Sequence, residues 1–131
     1  MPSTQIRIAR PTSSLKEIQR FYCDGLGLNK IGGFRDHDGY NGVMIGLPDE
    51  SYHLEFTEHI SGASFPPPTK DNLLVFYFAD LLERNILAEK LFAMGFPETE
   101  PENPYWKKDG ITIEDPDTWR IVLMGIKDFR L

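Results

Sequence analysis

The feature that most constrains this chain of 131 residues is a repeated order of predicted elements. Residues 21–26 (FYCDGL) resemble residues 91–96 (LFAMGF), so that Gly25 and Gly95 lie 70 residues apart. Each segment ends a capped helical pattern that follows a strand pattern and precedes further strands. Any two amphipathic helices that end in glycine look alike, and it is the matching flanks that favour a true repeat. The sequence therefore predicts two similar modules.

The first half predicts one strand, one helix and three more strands. Ser14 stands three residues before Glu17 in a capping-box pattern, and it predicts a helix of about three turns. Gly25 is expected to end this helix in a left-handed conformation. Glycines at 32 and 33 predict a bulge, and residues 37–39 (HDG) predict a hairpin turn. The strands are predicted from the apolar and β-rich patterns of residues 5–10, 28–35, 40–47 and 52–58.

The second half repeats this order after a connector rich in proline. Asp80 is the predicted N-cap of a helix that Gly95 ends. The segment that follows is broken by Pro97, Pro101 and Pro104, and it predicts only short structure. Strands are predicted at residues 73–78, 111–114 and 120–125. We therefore expect a single domain made of module one at about residues 5–58, a connector at about 59–71 and module two at about 72–131.

Composition excludes several classes of function. Lys and Arg number 14 and Asp and Glu number 20, which gives a formal net charge of −6. This balance argues against binding to nucleic acid or to anionic membranes. Cys23 is the single cysteine, so an internal disulfide and a zinc knuckle are excluded, and a buried, inert thiol is expected. We find no signal-peptide pattern and no membrane-spanning run, which predicts a cytoplasmic protein.

Three short motifs carry a resemblance to a known superfamily. Residues 21–28 (FYCDGLGL) are close to the pattern FY-x-x-x-LG-[FL], residues 54–56 (LEF) to LEL, and residues 115–117 (DPD) to the turn DPDGN. In this order they resemble the vicinal oxygen chelate superfamily, which includes glyoxalase I, bleomycin-resistance proteins, fosfomycin-resistance enzymes and extradiol dioxygenases. The chain looks most like small uncharacterised bacterial glyoxalase-like proteins. The resemblance implies an α+β fold of two tandem βαβββ modules that form a cleft.

The resemblance also implies where a metal ion would bind. Metal-using members hold the ion with His or Gln, Glu, His and Glu, one from each of four strands. These positions fall here on Arg7, Glu55, Leu73 (or Asn72 after a slip of one residue) and Val122. A divalent ion needs several donor atoms, and a permanent positive charge repels it. We therefore expect neither a metal cofactor nor the Lewis-acid chemistry that it supplies.

A guanidinium is expected in the space that the metal takes in those members. Arg7 and Glu55 would lie on neighbouring strands and pair as arginine and carboxylate do; the alternative is that Arg7 points to solvent at a sheet edge. His53 shares a strand face with Glu55. It could bind a ligand or act as a base, or it could be a histidine satisfied by its neighbours.

The other wall of the implied cleft is predicted to be apolar. Leu73 and Val122 would lie on its strands. Tyr105 and Trp106 stand on a loop punctuated by proline. Aromatic side chains of this kind either line a small-molecule pocket or hold their own loop down.

We therefore predict a metal-independent binder of a small, partly apolar or aromatic organic molecule, similar to bleomycin-resistance proteins and, like them, a homodimer. No catalytic residue is predicted. The predicted ligand-binding residues are Arg7, His53, Glu55, Leu73, Tyr105, Trp106 and Val122. One alternative is a lyase of glyoxalase type, or a dioxygenase, with a divalent metal on non-standard ligands or acid–base chemistry at His53 or Glu55. Another is a regulatory or scaffold protein with a degenerate pocket.

Overall fold

A computed structural model describes residues 4–126 and divides them into two compact units between Pro66 and Pro67. Each unit has the element order βαβββ and one four-stranded mixed sheet. The division falls inside the predicted connector. The predicted α+β fold of two βαβββ modules is confirmed.

In unit one the sheet order is β1-β4-β3-β2, with β1 parallel to β4 and the other pairs antiparallel. The predicted bulge in β2 is present as a register shift between Lys30 and Gly32. The predicted hairpin turn lies between β2 and β3, where Asp38 and Gly39 have φ of 51° and 87°. The elements of this unit are β1 (Ile6–Pro11), α1 (Leu15–Gln19), a π-helical continuation of α1 (Arg20–Gly25), β2 (Asn29–His37), β3 (Tyr40–Gly46) and β4 (Tyr52–His59).

Unit two has the equivalent sheet order β5-β8-β7-β6, with β5 parallel to β8. Asp80 caps α2 as predicted, because its Oδ1 accepts from the amides of Leu82 and Glu83. No helix within residues 4–126 is long and apolar enough to cross a membrane. The elements are β5 (Leu73–Phe78), α2 (Leu81–Ala93), β6 (Glu98–Thr99), a 3-10 turn (Pro104–Trp106), β7 (Gly110–Glu114) and β8 (Arg120–Gly125).

The first helix differs from its prediction in its second half. Ser14 caps it as expected, accepting from the Glu17 amide at 3.2 Å. The helix then widens, and the amide of Leu26 bonds the carbonyl of Phe21, five residues back, at 2.9 Å. The prediction of a left-handed Gly25 is wrong, because this wide turn carries the helix through residue 25 and the positive φ, 82°, falls at Gly27.

The core of unit one contains an arginine. Arg10 of β1 is 6 % exposed, and its NH2 group donates to the Tyr22 hydroxyl at 2.7 Å. Its guanidinium carbon lies 5.1 Å from the centre of the Phe56 ring, in the range of a cation–π contact. Arg10 therefore joins the β1 edge of the sheet to the core that α1 forms with β4. The other buried apolar side chains include Ile18, Phe21, Val43, Ile45 and Leu54.

Replacing Asp80 with alanine is expected to lower the free energy of unfolding by about 1 kcal/mol, because two amides at the start of α2 lose their acceptor. Urea denaturation checks this. Glu89→Ala, at an exposed position of the same helix, is the matched control and is expected to change stability by less than about 0.5 kcal/mol. Equal losses in both variants would contradict the capping role.

Candidate functional site

Three side chains on one face of the unit-one sheet form a hydrogen-bonded group. Parallel pairing sets Arg7 opposite His53 and Ala9 opposite Glu55. Arg7 donates from Nε to His53 Nε2 at 2.8 Å and from NH1 to Glu55 Oε2 at 3.2 Å. The predicted pair of Arg7 and Glu55 is therefore present, although Arg7 lies on the edge strand β1 and half of its side chain is exposed to solvent.

His53 is buried and fixes the orientation of Arg7. A guanidinium can only donate, so Nε2 of the imidazole accepts and Nδ1 carries the proton. Nδ1 is buried and has no hydrogen-bond partner within residues 4–126. Because the basic nitrogen already binds Arg7, this arrangement favours an orienting role for His53 over general-base catalysis.

Arg7 keeps binding capacity beyond this group. Its two bonds use two of the five N–H groups of a guanidinium, and half of its side chain is exposed. Glu55 is largely covered, with 15 % of its side chain exposed. The exposed part of the group is therefore cationic, and it suits an oxygen acceptor such as a carboxylate or a carbonyl.

The metal ion that the superfamily implies does not fit these residues. Arg7 already donates hydrogen bonds to Glu55 Oε2 and His53 Nε2, and it places a positive charge beside both atoms. Leu73 and Val122 carry no donor atom. Within the described part of the chain, no three His, Cys, Asp or Glu side chains lie close enough to hold an ion. The donor set is unsuited to a divalent cation, so we derive no step through one.

Unit two has an open cavity at its surface, with a volume of about 670 Å³, which lies in the range of small-molecule sites. It brings together Leu73 and Trp106, two of the predicted ligand-binding residues. Trp106 reaches it from the 3-10 turn, which Asn103 caps by accepting from the Tyr105 amide at 3.0 Å. The lining consists of Asp71, Leu73, Val75, Glu102, Asn103 and Trp106.

Two other predicted residues do not line this cavity. Tyr105 is 69 % exposed and meets Trp106 edge to face, with ring centroids 4.9 Å apart. Val122 is fully buried and has no surface to offer a ligand.

An ion pair in unit two that the sequence did not predict joins a buried arginine to a partly exposed carboxylate. Arg120 is buried, donates from Nε to Glu114 Oε2 at 3.2 Å, and binds the Glu100 carbonyl at 2.7 Å. It lies opposite Leu73, as His53 lies opposite Arg7 in unit one. The available signal was the pair of opposite charges on either side of the turn at residues 115–118. Glu114 and the Glu100 carbonyl therefore hold this buried guanidinium in place.

The two βαβββ units define the class, which is the vicinal oxygen chelate or glyoxalase-like fold. Glyoxalase I of Leishmania major has the same fold, with a TM-score of 0.75 and 16 % identity over 95 % of this chain and 87 % of that one. TnmS3, an antibiotic binding protein from Streptomyces sp. CB03234, has a TM-score of 0.66 and 19 % identity over 95 % and 96 %. At these identities the likeness shows the fold alone.

Within this class the chain belongs to the YycE-like family. Residues 6–57 match the YycE-like N-terminal domain and residues 71–125 match the YycE-like C-terminal domain. The uncharacterized protein YycE of Bacillus subtilis (strain 168) is 55 % identical over 125 residues, which are 95 % of this chain and 90 % of YycE. A crystal structure of YycE, of unknown function, has a TM-score of 0.89 and 52 % identity over 98 % of this chain and 92 % of that one.

Proposed function

We propose that this protein binds a small, partly apolar or aromatic organic molecule without the help of a metal ion. The observation that carries the proposal is the unit-two cavity, where Leu73 and Trp106 meet although they lie far apart in the sequence. Half-buried aliphatic side chains and one indole provide the apolar contact that such ligands require. Asn103 and the carboxylates at the rim add polar atoms that can fix the orientation of the ligand.

Arg7 supports the same proposal from unit one. Its guanidinium is held by a buried histidine and a largely covered carboxylate, so little rotamer entropy is left to lose when a ligand binds. We propose that it binds an oxygen-bearing group of a ligand and that His53 and Glu55 position it. No catalytic step is assigned to the three residues.

A thermal-shift screen of aromatic and heteroaromatic compounds, run with EDTA present, tests the proposed function. A ligand at 100 times its dissociation constant stabilises the native state by about 2.7 kcal/mol, which gives a measurable rise in melting temperature. We expect compounds that stabilise the protein equally with and without EDTA. Stabilisation that requires an added divalent ion would contradict the proposal and favour the enzyme of glyoxalase or dioxygenase type.

The assembly of the protein, its location and the partners that it does not bind are further parts of this proposal. We propose a homodimer, a cytoplasmic location and no binding to nucleic acid or membranes. Light scattering coupled to size-exclusion chromatography measures the first. The net charge of −6 supports the exclusion of nucleic acid and anionic lipid.

A further inference from the structure

A second binding surface lies on the opposite face of the unit-one sheet from Arg7. There a groove of about 1550 Å³ runs between the first helix and strand β2. Lys16, Arg20 and Cys23 recur at helical spacing and form one wall, and the β2 segment from Lys30 to Arg35 forms the other. This cationic groove, as we call it, has no role in the function proposed above.

The cationic groove concentrates positive charge in an acidic protein. Four of the six Lys and Arg residues in residues 1–66 line it: Lys16, Arg20, Lys30 and Arg35. Two carboxylates, Asp24 and Glu58, also line it, so cations outnumber anions by four to two. Arg20 lies 3.9 Å from Glu17. In the described part of the chain, Lys16, Lys30 and Arg35 form no ion pair with a carboxylate. Like charges on facing walls repel each other, so an anion between them would relieve that repulsion.

The floor of the groove is apolar. Leu28 and Val43 lie at its base but are buried, so the apolar surface open to a ligand includes Ile31 on β2, which is 48 % exposed beside Lys30. An inorganic anion would leave this surface in water. A ligand that combines one negative charge with an apolar body would use both the cations and the floor.

We propose that the cationic groove binds an amphiphilic organic anion, a carboxylate or sulfonate with an apolar body. Its charged group lies between Lys30, Arg35 and the helix cations, and its apolar part covers Ile31. Because this face of the sheet is distinct from that of Arg7 and from the unit-two cavity, the inference is independent of the proposed function.

Fluorescence titration with anilinonaphthalene sulfonate tests the proposal. We expect one high-affinity site per chain, binding that weakens as salt rises, and an affinity about tenfold lower in K30Q/R35Q. K90Q, at an exposed lysine of α2, is the matched control and is expected to bind as the wild type does. Phenylnaphthylamine, which has a similar aromatic body but no sulfonate, is expected to bind at least tenfold more weakly.

Cys23 provides a second readout, because it lines the groove and is the only thiol in the chain. Burial raises the pKa of its thiol, and the Asp24 carboxylate raises this pKa further. The positive charge of Lys30 lowers it, but by less. Because a ligand in the groove would cover this thiol, alkylation of Cys23 at alkaline pH is expected to slow at least fivefold when the sulfonate saturates the groove. Unchanged alkylation, equal affinity in K30Q/R35Q, or equally tight binding of phenylnaphthylamine would overturn the proposal. Circular dichroism establishes that the variants are folded.

Discussion

Arg10→Ala is expected to lower the free energy of unfolding by about 3 kcal/mol. The variant removes a side chain that packs against the Phe56 ring and leaves the buried Tyr22 hydroxyl without this donor. Both losses occur at a buried position, since Arg10 is 6 % exposed. Urea denaturation followed by circular dichroism measures the change.

Arg7→Ala is the matched control, since it removes the same side chain three residues earlier on the same strand. Half of the Arg7 side chain is exposed, so water reaches the guanidinium side of its ion pair with Glu55. We expect a loss of no more than about 1 kcal/mol, as is usual for exposed pairs. If Arg10→Ala lost no more stability than Arg7→Ala, Arg10 would not join the edge strand β1 to the core.

Trp106→Ala is expected to weaken binding of an aromatic ligand by at least tenfold, because it removes the largest apolar side chain that lines the unit-two cavity. Isothermal titration with the best EDTA-insensitive compound from the thermal-shift screen measures the affinity. Because Trp106 is only half-buried, the variant is expected to fold.

Tyr105→Phe is the matched control for Trp106→Ala. It keeps the edge-to-face contact with the indole, and the Tyr105 side chain does not line the cavity. Unchanged affinity is expected. If Trp106→Ala also kept its affinity, the cavity would not be the binding site, and the prediction that Trp106 contacts a ligand would be wrong.

The sequence predicted the fold well because its signals are local. Ser14 and Asp80 both cap helices as their patterns indicate, and β5 and β8 have their predicted bounds. The predicted conformation of Gly25 was wrong because a π-helical turn depends on how the helix packs rather than on residue type. The burial of Arg10 was also not predicted. The alternation along β1 does not show that its guanidinium bonds the Tyr22 hydroxyl and lies over the Phe56 ring.

The candidate site was predictable where strand register decided it. The alternation of β4 put His53 and Glu55 on one face. The placement of Arg7 beside Glu55 followed from the resemblance to the superfamily, and the parallel pairing of β1 with β4 agrees with it. The burial of Val122 and the exposure of Tyr105 were not predictable, because they depend on how other segments cover each side chain. The cationic groove was missed because its walls come from a helix and a strand that carry no shared motif.

We propose that Arg7 takes the space that a metal ion occupies in metal-using relatives, and titration with Ni²⁺ and Co²⁺ tests this proposal most directly. The account predicts no stoichiometric binding that depends on Glu55: calorimetric traces of the wild type and of Glu55→Gln should coincide, since the carboxylate already binds a guanidinium. One ion bound per chain in the wild type and none in Glu55→Gln would contradict the account and restore the metal-dependent enzyme.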